Sequence, residues 1–396
     1  MAVISQIEAV HPELVDIRRR IHANPETAFQ EVETSQLVAG ELRKFGIEVH
    51  TNVGRTGVVG VLRNGSSTRR IALRADMDAL PMTEMNTFAH HSKNAGRMHA
   101  CGHDGHTTML LGAARHLAEH RGFDGTVVFI FQPAEEGGHA GARAMLRDGL
   151  LTRFPFDIIF GIHNMPDIPT GQFSIVPGPM MASSSLWDIW VRGRGGHAAQ
   201  PQLAVDPIVI AAEMIQALQS VVSRRRDPLS PAVLSITQVH AGEAYNVLPD
   251  TVQLCGTVRT FDKRTLDQIE ADMRRIAEGL PSLYGASGEL DFRRGYPAVV
   301  NHDKAAAFAA QAVRDAFGNE ALVQDPVPTM AGEDFSYYLE EVPGAFIFLG
   351  NGMVAHKDRG DGSGSHQLHN PLYDFNDALL PIGASFWTHL VRAYLS

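Results

Sequence analysis

The chain reads as an α/β protein: a mostly parallel sheet flanked by helices, with a smaller ferredoxin-like βαββαβ domain inserted into it. Three observations predict this. Up to about residue 180, short β-rich apolar runs alternate with helical patterns, the signature of a parallel sheet covered on both faces. From residue 185 the order changes to strand, helix, strand, strand, helix, strand, which is the split βαβ unit. After residue 300 the first pattern returns. The expected boundaries are therefore 1–182 and 297–396 for the two parts of the larger domain and 183–296 for the insertion.

Taken in order, the candidate strands of the larger domain are "GVVGVL" (57–62), "RIALRA" (70–75), "GTVVFIF" (125–131) and "FDIIFGI" (156–162). The helix "DGHTTMLLGAARHLAEHRG" lies between the second and third, opened by an aspartate and followed by Gly122. The insertion carries "LWDIWVRGRG", the helix "DPIVIAAEMIQALQSVV", "AVLSITQVHAG", "TVQLCGTVRTF", the helix "DQIEADMRRIAEGL" and "ELDFRRG". "GAFIFLG" (344–350) and a helix near 376–394 complete the larger domain. The Gly- and Ser-rich stretch "KDRGDGSGSHQ" (357–367) reads as a mobile loop. It lacks the strand-loop-helix context of a nucleotide motif.

With 396 residues and 44% hydrophobic content the chain can bury a large core, and its length favours two domains. The net charge of -10 comes without an acidic block, and the one basic run, "RRR" at 224–226, closes a helical pattern where cations suit the helix dipole. Nucleic acid is therefore not an expected partner. No segment approaches the roughly 18 apolar residues of a membrane span. The opening "MAVISQIEAVHPEL" has neither a basic nor an apolar leader region. A membrane partner is not expected, and a cytoplasmic location is. Of the two cysteines, Cys255 reads as a core residue on a strand, whereas Cys101, among histidines, reads as a ligand or a nucleophile.

Ligands of open α/β sheets bind at the carboxyl ends of the strands. "DMD" (76–78), "PAEEGG" (133–138), His163 and "GN" (350–351) all fall there. With Cys101 and His103 they offer thiolate, imidazole and carboxylate donors, enough for two borderline divalent ions such as manganese, zinc, cobalt or nickel. In an extended segment the side chains of Glu135 and Glu136 would point in opposite directions. One could then bind metal while the other served as a base toward an attacking water. That combination is suited to amide hydrolysis.

Ten separated motifs, "HANPETAFQE", "RADMDALPM", "MHACGHDGH", "FQPAEEGG", "GIHNMP", "GRGGHAAQP", "NVLPD", "GTVR", "GEDFS" and "LHNP", occur in this order from residue 22 to about 376. Together they resemble the aminoacylase/carboxypeptidase metallopeptidase superfamily, and most of all its N-acyl-amino-acid amidohydrolase and hippurate hydrolase branch. The resemblance implies a zinc-peptidase-like catalytic domain and an inserted lid that also forms a homodimer or higher oligomer. It implies Cys101 as a bridge between two metals, His103 and His163 completing one site, Glu136 and His369 the other, and Glu135 as general base. Asp78 matches an aspartate that orients a ligand histidine in relatives, although here the ligand has moved to His103. His197 matches a histidine that helps hold the oxyanion, and Asn246 and Arg259 match substrate-binding positions.

His99, His106 and His139 read as supporting or helix-start residues. Glu333 and Asp334 of "GEDFS" either line the pocket or begin a helix. Competing readings are a Cys101 nucleophile, a dipeptidase or carboxypeptidase of the same superfamily, and a non-catalytic protein that binds metal or amino acids.

Overall fold

The structure, a computed structural model, describes residues 3–353 and 366–396. The expected loop at 357–367 thus lies outside the described residues through 365. The chain forms two compact units. One comprises Met1–Gly178, Val300–Val327 and Asp334–Ser396, the other Pro179–Val299 and Pro328–Glu333.

The larger unit is built on a seven-stranded sheet. Its first strands are β1 (Glu48–Val53), β2 (Gly57–Asn64), β3 (Arg70–Asp76), β4 (Gly125–Gln132), β5 (Ile158–Pro166) and β6 (Phe173–Ser174). They are ordered β1-β2-β4-β3-β5, then the late strand Gly344–Gly352, then β6. The four central strands are parallel, as expected, and antiparallel strands are added at both edges. The reason is local at one edge: β1 and β2 are separated only by the turn at Gly54, Arg55 and Thr56, which is too short for a parallel crossover. β4 is apolar along nearly its whole length and almost entirely buried, as a central strand covered on both faces must be.

Helices α1 (Ser5–Ala9), α2 (His11–Ala23), α3 (Val32–Lys44) and α4 (His103–Glu119) pack over this sheet with the C-terminal helix Leu379–Tyr394. Small residues make α4 the inner helix. A Cβ on Gly105 would come 2.3 Å from the Phe375 ring, and one on Gly112 would come 3.1 Å from Ala384. Phe386, Trp387 and Leu390 of the last helix are buried against this core, each contributing roughly 1.5–3 kcal/mol by leaving water. Because the central strands run parallel, β3, β4, β5 and Gly344–Gly352 all end on one rim.

The smaller unit has the βαββαβ order. Its antiparallel sheet runs Ala232–His240, Thr251–Thr260, Ser185–Arg192, Ser287–Arg294, with helices Pro207–Arg224 and Lys263–Ser282 packed against it. Asp206 and Asp262 cap those helices, accepting from the backbone N–H groups of Ile208 (2.9 Å) and Thr265 (2.8 Å). Along Thr251–Thr260 the buried positions are Val252, Leu254, Gly256, Val258 and Thr260. Period two therefore puts Cys255 on the opposite, partly exposed face, opposite Asp188 in the register. This corrects the reading of Cys255 as a core residue: the strand is apolar on one face only.

Candidate metal centre

Cys101 and His103 flank Gly102, whose φ of +88° turns the chain from the loop into α4. Cys101 Sγ stands 3.3 Å from His163 Nε2. The His163 Nδ1 proton goes to the main-chain oxygen of Asn164 at 2.6 Å, leaving the Nε2 lone pair directed into the cluster. Cys101, Glu136 and His369 each offer a donor atom within 4.8 Å of the others, and so do His103, Glu135 and Glu136. His369 Nε2 lies 3.2 Å from Glu136 Oε1, and its backbone N–H donates to Ala100 at 2.8 Å, tying "LHNP" to the Cys101 loop. The structure thus brings together Cys101, His103, Glu135, Glu136, His163 and His369.

Asp78 sits beneath them. Its Oδ1 stands 3.3 Å from His103 Nδ1 and accepts from the N–H of Glu135 at 3.0 Å, while its Oδ2 accepts from the N–H of Glu136 at 2.9 Å. Gripping two successive N–H groups forces a tight turn, as at a helix start. Glu135 accordingly has φ -70° and ψ -42°, and Glu136 begins a 3-10 turn. The glutamates are therefore not on an extended segment with opposed side chains; both carboxylates approach His103.

Several buried groups that the sequence reading left without a role hold this arrangement. Asn164 N–H donates to His106 Nε2 at 2.9 Å, so His106 Nδ1 carries the proton and gives it to Asp76 Oδ1 at 2.6 Å. With both nitrogens engaged, His106 supports the cluster and has no lone pair left for an ion. The Asn164 amide donates to Cys101 O at 2.7 Å and its carbonyl accepts from the Tyr373 hydroxyl. Arg74, fully buried, donates to Asp76 (2.7 Å), Gln132 (2.8 Å) and Asp334 (3.1 Å). Asp334 also accepts from the Ala142 N–H at 2.9 Å, so it anchors the first turn of the helix Gly141–Arg147. His22 and Arg18, from α2, brace Asp104 in the first turn of α4 at 2.8 and 3.4 Å. His99 is buried without a hydrogen-bond partner among the described residues, and burial pushes it down to about 4.

These donors fit divalent ions. Asp76, Asp78, Glu135, Glu136 and Cys101 are all buried, and neither ring nitrogen of His103 has a hydrogen-bond partner among the described residues. Buried carboxylates of that density call for positive charge. Burial, then Glu136, Glu135 and Asp76, push the Cys101 thiol well above its ordinary value. A nucleophilic cysteine needs the opposite shift, whereas a cation at Sγ would make it a thiolate.

The remaining predicted residues lie on the smaller unit. His197, exposed, is on the two-residue strand Gly196–His197 paired with Val247–Leu248, and Ala198 N–H donates to the main-chain oxygen of Asn246 at 3.0 Å. Asn246 is exposed. Arg259 is half-buried, its Nη1 has no hydrogen-bond partner among the described residues, and burial lowers its pKa.

The family model for peptidase family M20/M25/M40 matches residues 72–393. A hippurate hydrolase of Campylobacter jejuni is 42% identical over 395 residues, covering 100% of both chains. An IAA-amino acid hydrolase (ILR1-like 4) of Arabidopsis thaliana is 42% identical over 387 residues, 96% of this chain and 86% of that one. The crystal structure of Bacillus subtilis YXEP, described as a dinuclear metal binding peptidase from the M20 family, superposes with a TM-score of 0.83 at 35% identity over 98% of this chain and 99% of that one. By sequence and by fold, the chain belongs to peptidase family M20/M25/M40.

Proposed function

We propose that the chain is a dinuclear metal-dependent amidohydrolase that cleaves N-acyl amino acids, of hippurate or N-acetyl type, to a carboxylic acid and a free amino acid. The observation that carries this reading is a second buried carboxylate, Glu135, beside a donor set of Cys101, His103, Glu136, His163 and His369. Relatives named as a hippurate hydrolase and an IAA-amino acid hydrolase support the substrate class, and the dinuclear neighbour supports two ions.

In this reading His103 and His163 would hold one ion, Glu136 and His369 the other, and Cys101 would be shared between the two sites. Mixed thiolate, imidazole and carboxylate donors suit manganese, zinc, cobalt or nickel. Ions bound there would supply Lewis acidity, lowering the pKa of water and polarising the scissile carbonyl. Asp78 keeps His103 in register and orients the Glu135–Glu136 turn. Glu135 takes the proton of the attacking water and passes it to the leaving nitrogen. Ala199 N–H donates to His197 Nδ1 at 3.0 Å, which leaves the single ring proton on Nε2, the tautomer able to donate to an oxyanion. The unmatched guanidinium of Arg259 suits the carboxylate of an amino-acid product, with Asn246 as a further polar contact. A homodimer formed through the smaller unit and a cytoplasmic location complete the proposal; no helix among the described residues is long and apolar enough to cross a membrane.

Hydrolysis of hippurate and N-acetyl amino acids, run beside dipeptides with each divalent metal, tests the reading. Turnover is expected to vanish with a chelator and with Glu135→Gln. Turnover that survives in Glu135→Gln removes Glu135 as the base, and preferred cleavage of dipeptides moves the protein to the peptidase side of its family.

A further inference from the structure

The segment that carries Glu135 is held by two buried carboxylates from different parts of the chain. Three consecutive N–H groups are taken: Ala134 by Glu31 Oε1 at 2.9 Å, then Glu135 and Glu136 by Asp78 at 3.0 and 2.9 Å. The same Glu31 oxygen accepts from the N–H of Phe29 at 3.0 Å, and its other oxygen accepts from the Thr56 hydroxyl at 2.5 Å. Phe29 and Ala134 both sit in the left-handed region, at φ +59° and +53°. Residues other than glycine stay there only where their surroundings over-determine the backbone. One carboxylate oxygen thus fixes two unfavourable turns at once.

We propose that Glu31 is a positioning residue for the general base: by holding Ala134 in the left-handed conformation it sets the direction in which the chain leaves β4 and hence where the Glu135 carboxylate points. The inference rests on the reading of Glu135 as base. Asp78 shapes the turn at Glu135 and Glu136, and the Ala134 carbonyl accepts from the Gly141 N–H at 3.0 Å; Glu31 holds the Ala134 N–H, so losing it removes one of the two hydrogen bonds that oppose relaxation of Ala134 to negative φ. Such a relaxation swings the following side chain. Glu31 is fully buried and no Lys, Arg or His among the described residues lies within ion-pair distance of it. Burial pushes it up to about 7, against the Thr56 hydroxyl bond. An acid kept in such surroundings, with donors on both oxygens, serves the backbone geometry it imposes.

Glu31→Ala, Glu31→Gln and Thr56→Val are compared with the wild type and Glu135→Gln on the metal-loaded protein. Glu31→Ala is expected to lower kcat about 10- to 100-fold with KM and bound metal unchanged, the size of effect that outer supporting partners have. Glu31→Gln, which keeps an acceptor for both N–H groups, recovers most of that loss, and Thr56→Val gives a smaller loss of the same kind. Amide hydrogen exchange of the peptide spanning 131–140 in the metal-free protein reads the same contact without turnover: protection falls in Glu31→Ala and is kept in Glu31→Gln. Wild-type kcat in both Glu31→Ala and Thr56→Val, unchanged exchange in Glu31→Ala, or a kcat loss matched by metal loss overturns the proposal. Should wild type be inert or Glu135→Gln active, the assignment of the base fails instead, and the exchange result still decides whether Glu31 holds the segment.

Discussion

Replacing Gly102 by alanine tests whether the candidate ligands depend on the backbone between Cys101 and His103. Gly102 has φ +88°, where an L side chain costs roughly 1–2 kcal/mol. A Cβ there would lie 2.3 Å from Asn164 Nδ2 and 2.6 Å from the Tyr373 hydroxyl, whereas ordinary contact begins at 3.4 Å. A displacement of about 1 Å is therefore required somewhere in a densely packed interior. The Asn164 side chain cannot supply it without giving up its contacts with Cys101 O, Tyr373 and His106 Nε2. The turn itself must move, and it carries both Cys101 and His103. Metal affinity should fall about 10- to 100-fold, and kcat/KM on the order of 100-fold, as expected for a 1 Å misplacement of reacting groups. Competition with a chromophoric chelator measures the affinity, and elemental analysis the stoichiometry. Gly102→Ala protein that binds two equivalents as tightly as wild type would refute the reasoning, because it would mean that the turn does not set the ligand positions.

Two further predictions concern stability. His22 is buried between Asp104 Oδ2 (2.8 Å) and Glu84 Oε1 (3.2 Å); burial alone would push it down, but the two carboxylates hold it at about 9. Its folded value lies above the ordinary 6.5, so its contribution is complete below about pH 6.5 and lost as pH rises through 9. The stability gap between wild type and His22→Gln should be on the order of 3 kcal/mol at pH 6 and shrink toward pH 10; denaturant titrations giving a constant gap over that range would contradict the charge assignment. In the smaller unit, Trp187→Ala removes a side chain that is 1% exposed beneath Gly256 and should cost about 3–5 kcal/mol in calorimetry, with the metal content of the larger unit unchanged.

Much of the candidate site can be read in the sequence because its donors belong to chemically distinctive types at the ends of strands. Cys101 among histidines, the paired glutamates and His163 announce themselves by composition and by the apolar runs that precede them. The residues that hold them do not. Nothing near "HANPETAFQE" indicates that His22 braces Asp104 or that Glu31 grips Ala134, since those contacts join positions 82 and 103 residues apart. Asp76 shared the "DMD" signal, and its spacing of two from Asp78 at a strand end could have marked it for the same side of the sheet. The expectation for Glu135 and Glu136 failed because an extended backbone was assumed, while Asp78 bends it. Cys255 failed for a related reason: an apolar strand of a one-sided sheet has a second face that periodicity alone does not assign.

The sequence by itself determined the α/β class, the inserted βαββαβ unit and the family, and it offered the candidate donor residues. These follow from local periodicity and from side-chain chemistry, both carried by neighbouring residues. Only the tertiary structure decided which candidate donors meet, which histidine directs a lone pair into the cluster and which is spent on hydrogen bonds, and how the segment carrying Glu135 is held. Those depend on the order of the parallel strands and on buried bonds between distant segments, and no short-range pattern encodes them.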